Sequence, residues 1–242
     1  MENVYNQAIL NFKRGLEELN IILDDVQISQ FVDYYELLIE KNKVMNLTAI
    51  TEFSEVISKH FLDSLSIIKV YRPVNEKILD IGTGAGFPGI PIKIAFPNTQ
   101  LVLMDSLNKR VRFLDEVIEK LNLCNIRAIH GRAEDYGREI HFREAFDICT
   151  SRAVARLSTL SEYCIPYVKV GGNFISYKSG NLAEELKEAE KAIGILGGRL
   201  IKTEEFDLPN TDIKRSLILI EKTKKTPNKY PRLVGKPSKD PL

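Results

Sequence analysis

Apolar positions fall at helical spacing through the first third of the chain. Ile9, Phe12, Leu16 and Leu19 mark one segment, and Ile28, Phe31, Tyr35 and Leu38 a second. Phe53, Val56, Ile57, Phe61, Leu65 and Ile68 share a face of a third, from about Glu52 to Tyr71, with Thr51 as its expected N-cap. From Glu76 the period changes. Short apolar runs predict strands at 77–81, 100–105, 126–130, 146–150, 172–178, 199–207 and 215–222. Helices are predicted at about 88–96, 108–121, 156–168 and 182–196. Strand–helix alternation implies a mostly parallel sheet covered on both faces. The last two strands have no helix between them, so they predict an antiparallel edge hairpin. Three parts follow: a helical extension over 1–72, an α/β domain over 73–222, and a tail over 223–242. The tail is rich in Pro and Lys and is expected to be poorly ordered on its own.

Composition changes this picture little. The net charge of +1 names no partner, so a polyanion would need a local basic face. Cys124, Cys149 and Cys164 form neither a metal pattern nor a disulfide framework, and no metal site is expected. They point to a reducing cytoplasm, with each cysteine in the core. No apolar run reaches the ~18 residues of a membrane span. The expectation is a cytoplasmic monomer, neither secreted nor membrane-bound.

The candidate chemistry lies where the first strand stops, in Asp80-Ile-Gly-Thr-Gly-Ala-Gly-Phe-Pro-Gly89. Glycines at 82, 84 and 86 let the backbone approach a ligand where a Cβ would block it. The spacing Gly84-x-Gly86-x-x-Gly89 matches a dinucleotide fingerprint, which would suit an NAD-dependent oxidoreductase. Asp80 argues against that register, because a carboxylate serves an amino group or a ribose hydroxyl better than a pyrophosphate. Asp105 ends the second strand, where an acid can accept both ribose hydroxyls. Ala133 and Glu134 follow the third strand and could contact an adenine. Arg152 and Arg156 follow the fourth and suit an anionic substrate or a cofactor carboxylate.

The register Asp80-x-Gly82-x-Gly84-x-Gly86 resembles the first motif of Rossmann-like, class I S-adenosylmethionine-dependent methyltransferases. A seven-stranded sheet ending in an antiparallel hairpin is that class's architecture. Further blocks are Asn46-Leu-Thr48, His60-Phe-Leu-Asp-Ser-Leu65, the Phe87-Pro-Gly-Ile-Pro91 extension, His130-Gly-Arg-Ala-Glu-Asp135, Ser151-Arg-Ala-Val-Ala155 and Lys229-Tyr-Pro-Arg232. In order and spacing they resemble the ribosomal small-subunit methyltransferase G family, also called glucose-inhibited division protein B. The resemblance implies methylation at N7 of one guanine in the 530-region loop of bacterial 16S rRNA, free or in the small ribosomal subunit. It implies S-adenosylmethionine contacts at Gly82, Phe87, Ala133, Glu134 and Arg152. Two departures stand out: Ser179 within Lys178-Ser-Gly180, where Gly is expected, and Asp240, where a basic residue is usual.

Guanine N7 carries a lone pair and no proton, so its methylation needs no general base. Phe87 and Arg152 are then candidates for positioning rather than proton transfer. RNA contact is expected from Lys109, Arg110, Arg156, Lys178, Lys229 and Arg232, with Tyr230 stacking on a base. His60 and Asp63 could face the cleft from the helical extension. A remaining alternative is a non-catalytic RNA-binding or assembly factor on the same fold, which the glycine loop with Asp80 and Asp105 disfavours.

Overall fold

The computed structural model describes residues 2–179 and 182–242; Gly180, part of the Lys178 block, lies outside them. The expected alternation is present. Strands β1 (Lys77–Ile81), β2 (Gln100–Asp105), β3 (Ile126–His130), β4 (Phe146–Arg152) and β5 (Val168–Lys178) run parallel. Strands β6 (Gly198–Asp207) and β7 (Lys214–Lys222) form the antiparallel hairpin. The order is β3-β2-β1-β4-β5-β7-β6, so the reversed strand β7 pairs with β5 and lies one place inside the edge. The chain reverses its winding between β1 and β4, and the carboxyl ends of those strands are where such sheets bind ligands.

The extension is helical, as its period requires. Helix α1 (Glu2–Glu18) leads to α2 (Asp25–Met45). Helix α2 opens on a capping box: Asp24 Oδ1 accepts the Gln27 amide at 2.8 Å while Gln27 Oε1 accepts the Asp24 amide at 3.0 Å. The third segment changes pitch. Helix α3 (Phe53–Val56) passes into a π-helical turn, Ile57–Leu62, then α4 (Asp63–Leu65) and a 3₁₀ turn, Ser66–Lys69. Such π turns recur at functional sites because the extra residue re-aims nearby side chains, here Lys59, His60 and Asp63. Thr51 is not the cap; Glu52 holds that position without a side-chain bond, and the Thr51 carbonyl accepts the Tyr35 hydroxyl at 3.0 Å.

One face of the sheet carries the extension with α5 (Gly89–Ala95) and α6 (Asn108–Lys120). Phe12, Phe31 and Phe61 share a core with Ile78, Leu103 and Ile148, so the extension is built into the domain. The other face packs under α7 (Ala133–Tyr136), α8 (Leu157–Cys164) and α9 (Leu182–Ile195). Cys149 and Cys164 are buried there, whereas Cys124 is exposed rather than in the core.

The tail is docked across this second face. Arg143 donates to the carbonyls of Tyr230 and Thr226, each at 2.7 Å, and Arg138 Nε to that of Pro231 at 3.0 Å. Arg232 grips the fully buried Glu162 through its amide, Nε and guanidinium. Pro237 is buried within the short helix α10 (Lys236–Lys239). Composition suggested a loose tail because it does not show that Arg138, Arg143 and Glu162 wait on the domain to receive it.

Candidate active site

The turn after β1 needs its glycines for different reasons. Gly82, Gly84 and Gly86 have φ of +68°, +63° and +104°, a region L side chains rarely adopt. A Cβ on Gly82 would lie 2.4 Å from Val154 Cγ2, on the side of a cavity. Around Gly84 there is open space. A Cβ on Gly86 would lie 2.7 Å from the Tyr34 hydroxyl and 2.5 Å from Ile90 Cδ1, so Gly86 serves packing. That removes the close pyrophosphate approach the dinucleotide register requires.

Asp80 also departs from expectation. It is fully buried beneath the turn, where Thr83 Oγ1 and the Gly89 amide donate to Oδ2 at 2.6 and 2.9 Å. Thr150 Oγ1 donates to Oδ1 at 3.2 Å. Burial pushes its carboxyl up to about 6, against the pull of these donors and of Arg152. Asp80 braces the loop from behind instead of meeting a ligand. Asp105 faces the cavity edge: Oδ2 accepts the Gly84 amide and Oδ1 the Leu107 amide, both at 2.9 Å, while Arg110 stands 3.4 Å from Oδ2.

Gly82, Asp105, Ala133 and Glu134 come together around a cavity of about 240 Å³, with Met104, Val154, Tyr163 and Ser238. The residues suit an adenosyl amino-acid cofactor: an acid at the end of β2 in ribose position, a second acid after β3, and a cleft at the carboxyl edge. The volume is just below the ~300 Å³ at which ligand pockets usually begin, and the Val154 side chain leans into it against Gly82.

A second cavity of about 500 Å³ adjoins it, with Ala155 lining both. Its wall gathers Lys59, His60 and Asp63 from the extension, Arg152 at the end of β4 and Arg156 beyond it, Tyr177 and Lys178 from β5, and Arg215 from β7. The buried Asp63 bridges two cations: Oδ2 accepts Arg152 at 2.6 Å and Oδ1 lies 3.3 Å from Arg215 Nε. Arg152 also donates to the Lys59 carbonyl at 3.2 Å and sits 5.1 Å above the Phe87 ring. Phe87 stacks on His60 at 4.5 Å between ring centres, so it supports this wall from below and lines neither cavity. His60 Nε2 lies 2.9 Å from Thr48 Oγ1. Burial, then the neighbouring Arg152, holds the imidazole down at about 3, so it is neutral at physiological pH. Tyr177 donates to the Ser64 carbonyl at 2.7 Å, and burial raises its phenol well above the ordinary value.

Of the expected RNA contacts, Arg156 and Lys178 reach the second cavity, paired with Glu188 at 3.0 Å and Glu185 at 2.5 Å. Lys109 is exposed and donates to the Met45 carbonyl at 3.1 Å; Arg110 is turned to Asp105. Lys229 is exposed, but the Tyr230 ring is buried and Arg232 is committed to Glu162, so neither is presented to a base. Tyr163, Tyr177, Val154 and Ser238 were missed. They come from four distant segments, and only the spacing of Ser151-Arg-Ala-Val-Ala155 marked one of them.

A family model described as rRNA small subunit methyltransferase G matches residues 27–218. The chain is 59% identical over 232 residues to the ribosomal RNA small subunit methyltransferase G of Lachnoclostridium phytofermentans, covering 96% of each. It is 52% identical over 238 residues to that of Desulforamulus reducens, covering 98% of this chain and 99% of the relative. Among solved structures it resembles a SAM dependent methyltransferase from Aquifex aeolicus, at 15% identity and TM-score 0.52, over 70% of this chain and 93% of that one. TrmN from Thermus thermophilus matches at 16% identity and TM-score 0.53, over 69% and 53%. These last two likenesses concern the fold. Among the described residues, no helix is long and apolar enough to cross a membrane.

Proposed function

The chain belongs to the rRNA small subunit methyltransferase G family, and on that premise we propose that it methylates N7 of a guanine in the 530-region loop of 16S rRNA, with S-adenosylmethionine as donor. The observation that carries this reading is the pair of cavities meeting at Ala155, one suited to an adenosyl cofactor and the other rimmed with cations. The cofactor supplies an electrophilic sulfonium methyl. Gly82 would flank its amino-acid portion once the Val154 side chain moves aside, Asp105 would meet its ribose, and Ala133 and Glu134 its nucleobase.

Around the larger cavity Lys59, Arg152, Arg156, Lys178 and Arg215 outnumber Asp63 and Glu185. A positive excess of this kind suits the phosphates of an RNA strand. Arg152 stands beside Ala153 and Ala155 with its guanidinium fixed by Asp63, the Lys59 carbonyl and the Phe87 face. It is thereby prepared to orient an acceptor. His60 need not act as a base, because N7 loses no proton. Catalysis then rests on alignment, which can lower a barrier by ~7–11 kcal/mol. The same reading gives a cytoplasmic enzyme that works as a monomer on the small subunit.

The test is methyl transfer from labelled S-adenosylmethionine to small subunits that lack the modification, followed by borohydride–aniline cleavage at N7-methylguanine. One cleavage in the 530 region is expected. Label confined to protein or small molecules overturns the reading.

A further inference from the structure

We infer that the docked C-terminal segment belongs to the methyl-donor site: it borders the smaller cavity through Ser238 and, through the Gly235 amide, holds Glu134 for the nucleobase end of the cofactor. This rests on the S-adenosylmethionine reading above.

Three observations carry it. Ser238 lines the cavity together with Gly131, Ala133 and Tyr163 of α8. The Gly235 amide donates to Glu134 Oε1 at 2.9 Å, so the tail backbone fixes the orientation of a buried carboxylate. Among the described residues no hydrogen bond reaches Oε2, which leaves it available to a donor such as an exocyclic amino group. Third, the segment is anchored strongly enough to act as a wall. Glu162 is fully buried and is matched by the Arg232 amide at 2.7 Å and by its guanidinium NH2 at 2.7 Å. Thr159 Oγ1 donates to the Pro237 carbonyl at 3.2 Å. A charge-assisted pair of this geometry, out of water, is expensive to break. Gly235 has a φ of +78°, the left-handed turn that lets the chain fold back over Glu134.

A structure in which Tyr230 and Arg232 face inward also explains why the tail's basic composition is a poor guide. Its arginine and aromatic ring pack against the domain, and of its cationic side chains only lysines are exposed.

Calorimetric titration with S-adenosylhomocysteine would compare the full chain with a chain ending at Gly235, which keeps Arg232 on Glu162 and the Gly235 amide. The shortened chain should bind at least tenfold more weakly, with its unliganded melting temperature lowered only modestly by the loss of Pro237 and its bond from Thr159. The same fold-loss should appear with methylthioadenosine, which carries the nucleoside but no amino acid. In the unaltered protein, S-adenosylhomocysteine should slow hydrogen exchange across 232–240; this arm decides the matter if the shortened chain does not fold. Equal affinities, or protection of 82–87 without protection of 232–240, would overturn the inference and leave the donor reading intact. A full-length chain that binds neither compound would overturn the donor reading itself.

Discussion

The two cavities share one wall residue and differ in how they are made. The smaller is bounded mostly by backbone and short side chains at the ends of consecutive strands, around Gly82, Asp105 and Ala133. The larger is bounded by long charged side chains from the helical extension, the β4 exit, β5 and β7. A backbone-built site is held by the sheet and by buried braces such as Asp80. A side-chain-built site is held by ion pairs, and its shape depends on Asp63 bridging Arg152 and Arg215. The first should fail by steric blockage and the second by electrostatic collapse.

The largest expected effect separates a glycine that faces the cavity from one that faces the core. Gly82→Val adds bulk at a φ of +68° where Val154 Cγ2 is already 2.4 Å from the new Cβ. S-adenosylhomocysteine affinity should fall at least about 100-fold, or ~2.7 kcal/mol. Gly89→Ala places a Cβ 2.3 Å from Leu103 Cδ2 and 3.0 Å from Asp80 Oδ2, between α5 and the sheet. It should cost about 2 kcal/mol of stability by overpacking while the folded fraction binds normally. Denaturant unfolding and calorimetry read both. A Gly82→Val protein with undiminished affinity would break the assignment of the smaller cavity.

Asp63→Ala tests the other cavity. It leaves two guanidinium groups facing one another across an emptied site. A fully buried pair broken this way costs ~3–5 kcal/mol, and the partial exposure of Arg152 and Arg215 reduces that to about 2 kcal/mol in urea unfolding. kcat/KM for small subunits should fall about tenfold, ~1.4 kcal/mol, while the Kd for S-adenosylhomocysteine stays within about threefold. Equal losses in both would show that the cavities are one site.

Legibility follows the same division. The strand–glycine–helix turn and Asp105 were readable because adjacent residues make that half of the site. The position of Asp80 before the turn is visible in sequence, but the direction of its carboxylate, toward Thr83 and Gly89, is not. The larger cavity was legible only as fragments. His60 and Asp63 fell in one block, but their meeting with Arg152 depends on a π turn that apolar periodicity does not reveal. Tyr230 and Arg232 looked like RNA contacts because composition carries no record of Glu162 buried beneath them.

His60 and Asp80 sharpen the contrast through pH. His60 is held down at about 3 from an ordinary value of 6.5. Below pH 6.5 the unfolded chain therefore takes up a proton that the native state refuses, and stability is lost as pH falls toward 3. Asp80 stands at about 6 from an ordinary value of 3.8. Its native state takes up a proton first, so this contribution is present below pH 3.8 and lost as pH rises through 6. Between pH 6 and 3.8 the two oppose each other, each with a limiting slope of about 1.4 kcal/mol per pH unit. His60→Asn should make the protein gain about 2 kcal/mol, relative to the parent, between pH 6 and pH 4.5. Asp80→Asn should make it lose a similar amount. Parallel profiles for all three proteins in urea unfolding would place both groups in water rather than in the buried settings described.

The smallest expected effect distinguishes the cavities by salt. Binding to single-stranded RNA loses about 0.7 in log–log slope for each phosphate neutralised. Arg156 lines the larger cavity, and its side chain is 74% exposed and paired, among the described residues, with Glu188. Arg156→Ala should therefore reduce the salt slope for a single-stranded fragment of the target loop by about 0.7, a change of only about threefold in relative affinity between 50 and 200 mM salt. S-adenosylhomocysteine binding should be flat over the same range in both proteins, because the cavity proposed for it is lined mostly by backbone and small side chains, with Asp105 and Glu134 buried. A salt-dependent donor affinity, or an unchanged RNA slope, would mean that the cations around the larger cavity serve the fold through Glu185 and Glu188 rather than an RNA backbone.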